Sequence, residues 1–283
     1  MFERFARSWA LVKASASVLA QDKELLVFPA ISSLATLAVA ATFIVPLFGF
    51  GLIELDAGPS GDEFSPALMI WAFFFYLAQY FVIFFFNSAL VGAALIRLKG
   101  GDPTVADGFR IAGSRIGAIL GYAAIAATVG LLLQIIQERA GKLGQWVAGF
   151  LGVAWTVATF LVVPILVTRD IGPVDAVKES ANLLKRTWGE NLIGQGGIGL
   201  VFALLQVLLV IAGVLALMLV IPSKSLVLIG AVAGLFVLAL LLFGLTQAAL
   251  SGIYSAALYR HAEGHGENTG FAPQLLQSAF RTK

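Results

Sequence analysis

The stretch ALMIWAFFFYLAQYFVIFFFNSALVGAALI, residues 67–96, runs for 30 positions without an Asp, Glu, Lys, Arg or His. A helix needs roughly 20 apolar residues to cross about 30 Å of hydrocarbon, so a run of this length reads as a membrane span. Five more such runs lie at 25–53, 116–136, 146–168, 192–221 and 226–259, and all the Asp, Glu, Lys, Arg and His residues fall outside the six. The fold class that follows is all-α: a polytopic membrane protein with six transmembrane helices. Residues 25–259 form the bundle, between an amphipathic segment at 1–24 and a tail at 260–283.

Composition agrees. Charged residues make up 12% of the chain and apolar ones 59%, with a mean hydropathy of +0.94, against about 25% charged residues in a soluble domain. The chain has no cysteine, which removes disulfides, thiolate nucleophiles and sulfur-ligated metals. Of the 18 basic residues, 15 lie in the N-terminal segment, the connections 97–115 and 169–190, and the tail. The loop after the first span carries Glu54, Asp56, Asp62 and Glu63 and no base. Lys and Arg accumulate on the cytoplasmic side, so both termini are expected there. A small net charge of +2, spread beside a membrane, points to lipid headgroups and not to nucleic acid. Lys13 interrupts the small-residue run at 9–20, so the N-terminus reads as retained and not as a cleaved signal.

Read as a helix, the first segment places Phe2, Phe5, Trp9, Val12, Ala16 and Leu19 on one face, with Arg4, Arg7, Ser8 and Ser15 elsewhere. Such a stripe lies in the membrane interface or packs on the ends of the spans. Two relatives follow. Asp102-Pro103 reads as a cap and first residue of a helix over 103–112, carrying Val105, Phe109 and Ala112 at helical spacing. Gly172-Pro173 opens another over 173–188, with Val174, Val177, Ala181 and Leu184 on one side; it ends at Trp188-Gly189. Ser8-Trp-Ala-Leu-Val-Lys13 echoes Ser180-Ala-Asn-Leu-Leu-Lys185. The chain thus reads as three units in tandem, each an amphipathic cytoplasmic helix followed by a two-span hairpin; duplication or short loops alone would both produce this.

Motifs that could carry chemistry lack their context. Gly194-Gln-Gly196-Gly197-Ile-Gly199 has the letters of a dinucleotide turn but opens a span and is followed by no acid until Glu263. It reads better as close helix packing, as do Gly117-xxx-Gly121 and Gly230-xxx-Gly234. His261 and His265 stand four apart in a Gly-rich tail, with no third ligand. Asp107-Gly108-Phe-Arg110 lacks the further aspartates that two-metal phosphoryl chemistry needs, and reads as a surface helix with a kinking glycine. No cofactor or metal is expected, and no catalytic residue.

What remains are polar groups inside the spans. Asn87, Thr159, Gln206 and Gln247 fall in one layer at about 14 to 21 Å from the inner ends, counting 1.5 Å per residue. They serve either as interhelical glue between spans 2, 4, 5 and 6 or as the lining of a path. Phe2, Phe5, Trp9 and Trp188 are candidate interfacial anchors, and Arg4, Arg7, Lys185 and Arg186 candidate headgroup contacts.

With SWALVKAS, DKELLVFP, GDPTVADGFR and GPVDAVKESANLLKRTWGENL as evidence, the chain resembles an uncharacterised family of six-span bacterial inner-membrane proteins. More distantly, over residues 172–258, it is similar to the membrane domain fused to some glycerophosphodiester phosphodiesterases. The resemblance implies a bacterial inner membrane; it supplies no catalytic residue. The expectation is therefore a non-enzymatic membrane module that binds lipid, another membrane protein or a second copy of itself. The alternative is a passive channel or uncoupled carrier for a small or lipid-like solute through the polar layer.

Overall fold

A computed structural model describes residues 2–49, 66–139, 141–188, 199–264, Phe271 and Leu276. The described elements are all helical. In chain order they are α1 (Phe2–Gln21), a 3-10 turn, α2 (Val27–Gly49), α3 (Pro66–Leu98), α4 (Val105–Ser114), α5 (Ile116–Arg139), α6 (Gly141–Ala158), α7 (Val162–Thr168), α8 (Pro173–Trp188), α9 (Gly199–Val220) and α10 (Leu226–Ala262). Six stretches are long and apolar enough to cross a membrane: Lys23–Pro46, Met69–Leu98, Ile116–Glu138, Leu143–Thr168, Val201–Ser223 and Leu226–Ala262. The expected span residues 50–53 and 192–198 and the loop residues 54–65 lie outside the described residues. Within the spans, the hydroxyls of Ser33, Thr42, Thr128, Thr156 and Thr246 donate to carbonyls four residues back in their own helices, so they need no partner across the lipid.

Two compact units make up the chain. One holds Val27–Ala93 and Thr104–Leu184, hence α2, most of α3, α4 to α7 and most of α8. Its core is the stretch Ser88–Ala93 of α3, Ile119 to Ala127 of α5, Leu161 to Leu166 around α7, and small or aliphatic residues of α4 and α8. The short helix α4 does not begin at Asp102-Pro103. Thr104 is its cap: the Asp107 N–H donates to the Thr104 hydroxyl, while the Thr104 backbone N–H donates to the Asp107 carboxylate at 3.0 Å. Nor does Gly108 kink a surface helix. It is buried against the Phe28 ring and the Ala89 backbone of α3, where an added Cβ would lie 2.7 Å from the Ala89 carbonyl oxygen. Ile111 in turn fills the space above Gly92, and Phe109 meets Phe28 edge-on at 5.5 Å. This helix is seated in the α2–α3 hairpin.

The other unit holds Met1–Leu26, Ala94–Pro103 and Lys185–Lys283. Here α1 packs on α10 and α9. Its buried face is Ser8, Leu11, Val12, Ser15, Val18, Leu19 and Asp22, about 100° round from the stripe expected. Val12 and Leu19 belong to both, but Trp9 is exposed; the side chains of Phe2, Arg4, Phe5 and Arg7 lie outside the described residues. The long helices α9 and α10 meet where Gly213 receives the Phe236 ring and where Phe202 and Phe243 stand edge-on at 6.0 Å. The expected contact glycines Gly230 and Gly234 have nothing close to them. Charges fasten the helix ends. The Arg97 guanidinium pairs with Asp22 and Asp102, and Arg260 donates to the Leu98 carbonyl.

Two predictions follow from α4. Gly108→Ala forces a methyl against backbone, which overpacking puts at about 1–3 kcal/mol; the detergent-solubilised variant melts several degrees below the parent, and an unchanged melting temperature contradicts the seating of α4. The Thr104 hydroxyl and backbone N–H, aided by Arg110, hold the Asp107 carboxyl below its ordinary value. Its contribution is present above the unfolded value of about 3.9 and fades as pH falls through the lower folded value. Asp107→Asn therefore lowers the melting temperature at pH 7, with the gap to the parent closing below pH 3; a gap independent of pH rules out the carboxylate as its source.

Candidate functional site

In the α2–α8 unit, one group of polar side chains follows a seam along α3 and α5, apart from Gln79, which donates to the Thr36 carbonyl of α2. Along α3, Tyr76, Tyr80 and Phe84 stand four residues apart, and their rings stack at 6.2 and 5.7 Å. Phe84 continues the column onto α5 by stacking on Tyr122 at 4.5 Å. The hydroxyl of Tyr76 donates to Gln134 Oε1 at 3.3 Å, and Gln134 Nε2 donates to the exposed Glu138 carboxylate at 3.0 Å. One turn pair deeper, the Tyr80 hydroxyl lies against Gly130, 3.3 Å from where a Cβ would be. Tyr122 is buried beside the Thr159 side chain, whose hydroxyl donates to the Trp155 carbonyl at 2.8 Å. From Glu138 to Tyr122 the seam follows α5 for 16 residues, about 24 Å at 1.5 Å each, most of the thickness of a hydrocarbon core.

The seam ends where span 4 breaks. Pro164 has no N–H and crowds the carbonyl four residues before it, so the helix is interrupted between α6 and α7, at residues 159–161. Phe160 N–H bonds to Val157 O, which leaves Leu161 N–H without that i−4 acceptor. The Ser180 hydroxyl of α8 accepts it at 3.1 Å, and both residues are fully buried. Around this bond α8 presents Ala176, Ser180, Leu183 and Leu184 inward, while Pro173 sits on Gly121 of α5. The buried face is again one residue off the expected one: Val174 is 54% exposed. Arg169 at the end of α7 pairs with Glu179 at 2.9 Å, and Arg115 at the start of α5 pairs with Asp170.

The expected polar layer divides between the units. Asn87 and Thr159 are both half-buried in the first unit, but the structure gives no bond between them; the Thr159 hydroxyl donates to the Trp155 carbonyl instead. In the other unit, Gln206 is exposed on α9 and Gln247 half-buried on α10, also without a bond between them. Lys185 and Arg186 are exposed in the last turn of α8, and the Trp188 side chain lies outside the described residues. The tyrosines are not among the expected site residues, because a phenol in a span carries no charge and pairs equally well with lipid headgroups, rings or water. Their signal was legible: three of the five tyrosines, with two of them and Phe84 spaced by four along one helix.

Ser180→Ala leaves the Leu161 amide buried and unsatisfied, a cost of about 1–3 kcal/mol. The variant is expected to melt several degrees lower and to exchange the Leu161 amide faster; unaltered exchange there sinks the capping role.

No characterised protein matches this sequence. The model of a family of unknown function, DUF6159, matches residues 66–271, which cover α3 to α10 and with them the seam, the broken span and both inserted helices α4 and α8, and the chain belongs to that family.

Proposed function

We propose that this protein is a non-enzymatic lipid-binding module of a bacterial inner membrane, with both termini in the cytoplasm. The observation that carries the reading is the division of labour on α1. One face is spent on α9 and α10, while the opposite side turns Trp9 outward with the Lys13 ammonium 5.9 Å above its ring. A tryptophan backed by a cation suits the headgroup level, where the ring is half in hydrocarbon and the charge meets anionic lipid. The exposed Lys185 and Arg186 at the end of α8 add two cations of the same kind. The excess of Lys and Arg on the α1, α4 and α8 segments supports a cytoplasmic placement of these ends.

Each surface cation contributes about 1 kcal/mol toward anionic lipid. Neutralising Lys13, Lys185 and Arg186 to Gln together is expected to weaken retention of anionic over zwitterionic phospholipid by about a hundred-fold, read by native mass spectrometry of protein extracted with lipid. Equal retention by parent and variant, or solute flux through liposomes containing the parent, contradicts this reading.

A further inference from the structure

We infer that the seam between α3, α5 and α6 is a hydrated inlet, open at the Glu138 end and blind at the break in span 4, that admits water and small uncharged hydrogen-bonding solutes. This goes beyond the lipid-binding reading and does not rest on it. The first argument is order. Gln134, Tyr76, Tyr80 and Tyr122 of α3 and α5 and Thr159 at the break in span 4 form a succession from an exposed carboxylate inward. Structural pairing of spans asks for no such succession; a path for water does, because each polar group hands hydrogen bonds to the next.

The second argument is incomplete satisfaction. The Tyr76–Gln134 bond is long at 3.3 Å, and Tyr80 faces the Gly130 backbone. One turn beyond Phe84, the fully buried Ser88 hydroxyl has no partner among the described residues. Tyr76, Tyr80, Phe84, Asn87 and Thr159 are all only half-buried, whereas the residues beyond them are packed shut. Groups left short of partners at this depth are costly in hydrocarbon and are satisfied by water.

The third argument is the closed end. Ile119, Ala123, Leu161, Val162 and Ile165 are buried and apolar, and Ser180 seals the one loose backbone group. Water that reaches Thr159 goes no further while α8 is seated. The lining is neutral beyond Glu138, which favours uncharged solutes over ions.

Because the chain lacks cysteine, one near-isosteric thiol reports on the blind end. Thr159→Cys in proteoliposomes, treated with the neutral reagent 2-hydroxyethyl methanethiosulfonate, is expected to react at least tenfold faster than Phe74→Cys or Leu132→Cys, both more than half exposed on lipid-facing sides of α3 and α5. A charged, impermeant methanethiosulfonate added from the Glu138 side reacts more slowly than the neutral one, and from the opposite side it does not react. Should the thiol variant fail to fold, hydrogen exchange of the unaltered protein in nanodiscs decides: residues 122–134 exchange several-fold faster than 203–219 of α9. A Thr159→Cys rate equal to the lipid-facing controls, equal reaction from both sides, or equal exchange in the two segments overturns the inlet. None of these outcomes depends on lipid retention, so the two readings fail separately.

Discussion

In hydrocarbon a backbone N–H has no water to fall back on, and leaving it unpaired costs several kcal/mol. Pro164 creates that problem in span 4, and the Ser180 hydroxyl solves it for Leu161. A single bond of this kind requires α8 to enter the bundle side-on instead of lying over it. Everything near the break follows from that entry: the small residues Ala176 and Gly121 that let backbones approach, the buried Leu183 and Leu184, and the Arg169–Glu179 pair that holds the approach angle.

The same relation recurs. α4 is seated in the α2–α3 hairpin, α8 in the α5–α7 hairpin, and α1 on the α9–α10 hairpin. The helices α4 and α8 thus belong with the hairpins before them, whereas α1 packs on the α9–α10 hairpin. Counted from their first residues, α4 and α8 bury the same positions, Gly108 and Ala112 against Ala176 and Ser180. The inner ends of spans 2 and 6 match in letters also: Ser88, Ala93, Ala94, Leu95 and Arg97 correspond to Ser251, Ala256, Ala257, Leu258 and Arg260.

How much of this was legible follows from what a polar letter hides. The six spans were readable because excluding charge from lipid is a large, one-directional effect. The extent of α8 at Pro173–Trp188 was readable from proline and tryptophan. The faces of α1 and α8 were read one residue out, because serine counts as polar in a stripe although its hydroxyl can be satisfied inside. Ser180 binds a backbone amide, and Ser8 and Ser15 are small enough to bring α1 close to its neighbours. Gly108 was read as a bend because sequence does not show that Ala89 stands above it. The Thr104 cap lost out to Asp102 because Asp-Pro is the stronger local signal, whereas the reciprocal bond to Asp107 decides. The seam is not legible because tyrosines on two helices, α3 and α5, meet only through tertiary packing.

The claim on which the account turns is that α8 is part of the bundle and not a helix afloat at the interface. A spin-label scan along α8 in nanodiscs tests it most directly, through accessibility to dissolved oxygen and to a water-soluble nickel chelate. The account predicts that Ala176, Ser180 and Leu183 are shielded from both, while Val174 and Lys178 are open to one or the other. Finding Ala176, Ser180 and Leu183 as accessible to oxygen or to the nickel chelate as Val174 and Lys178 would contradict it.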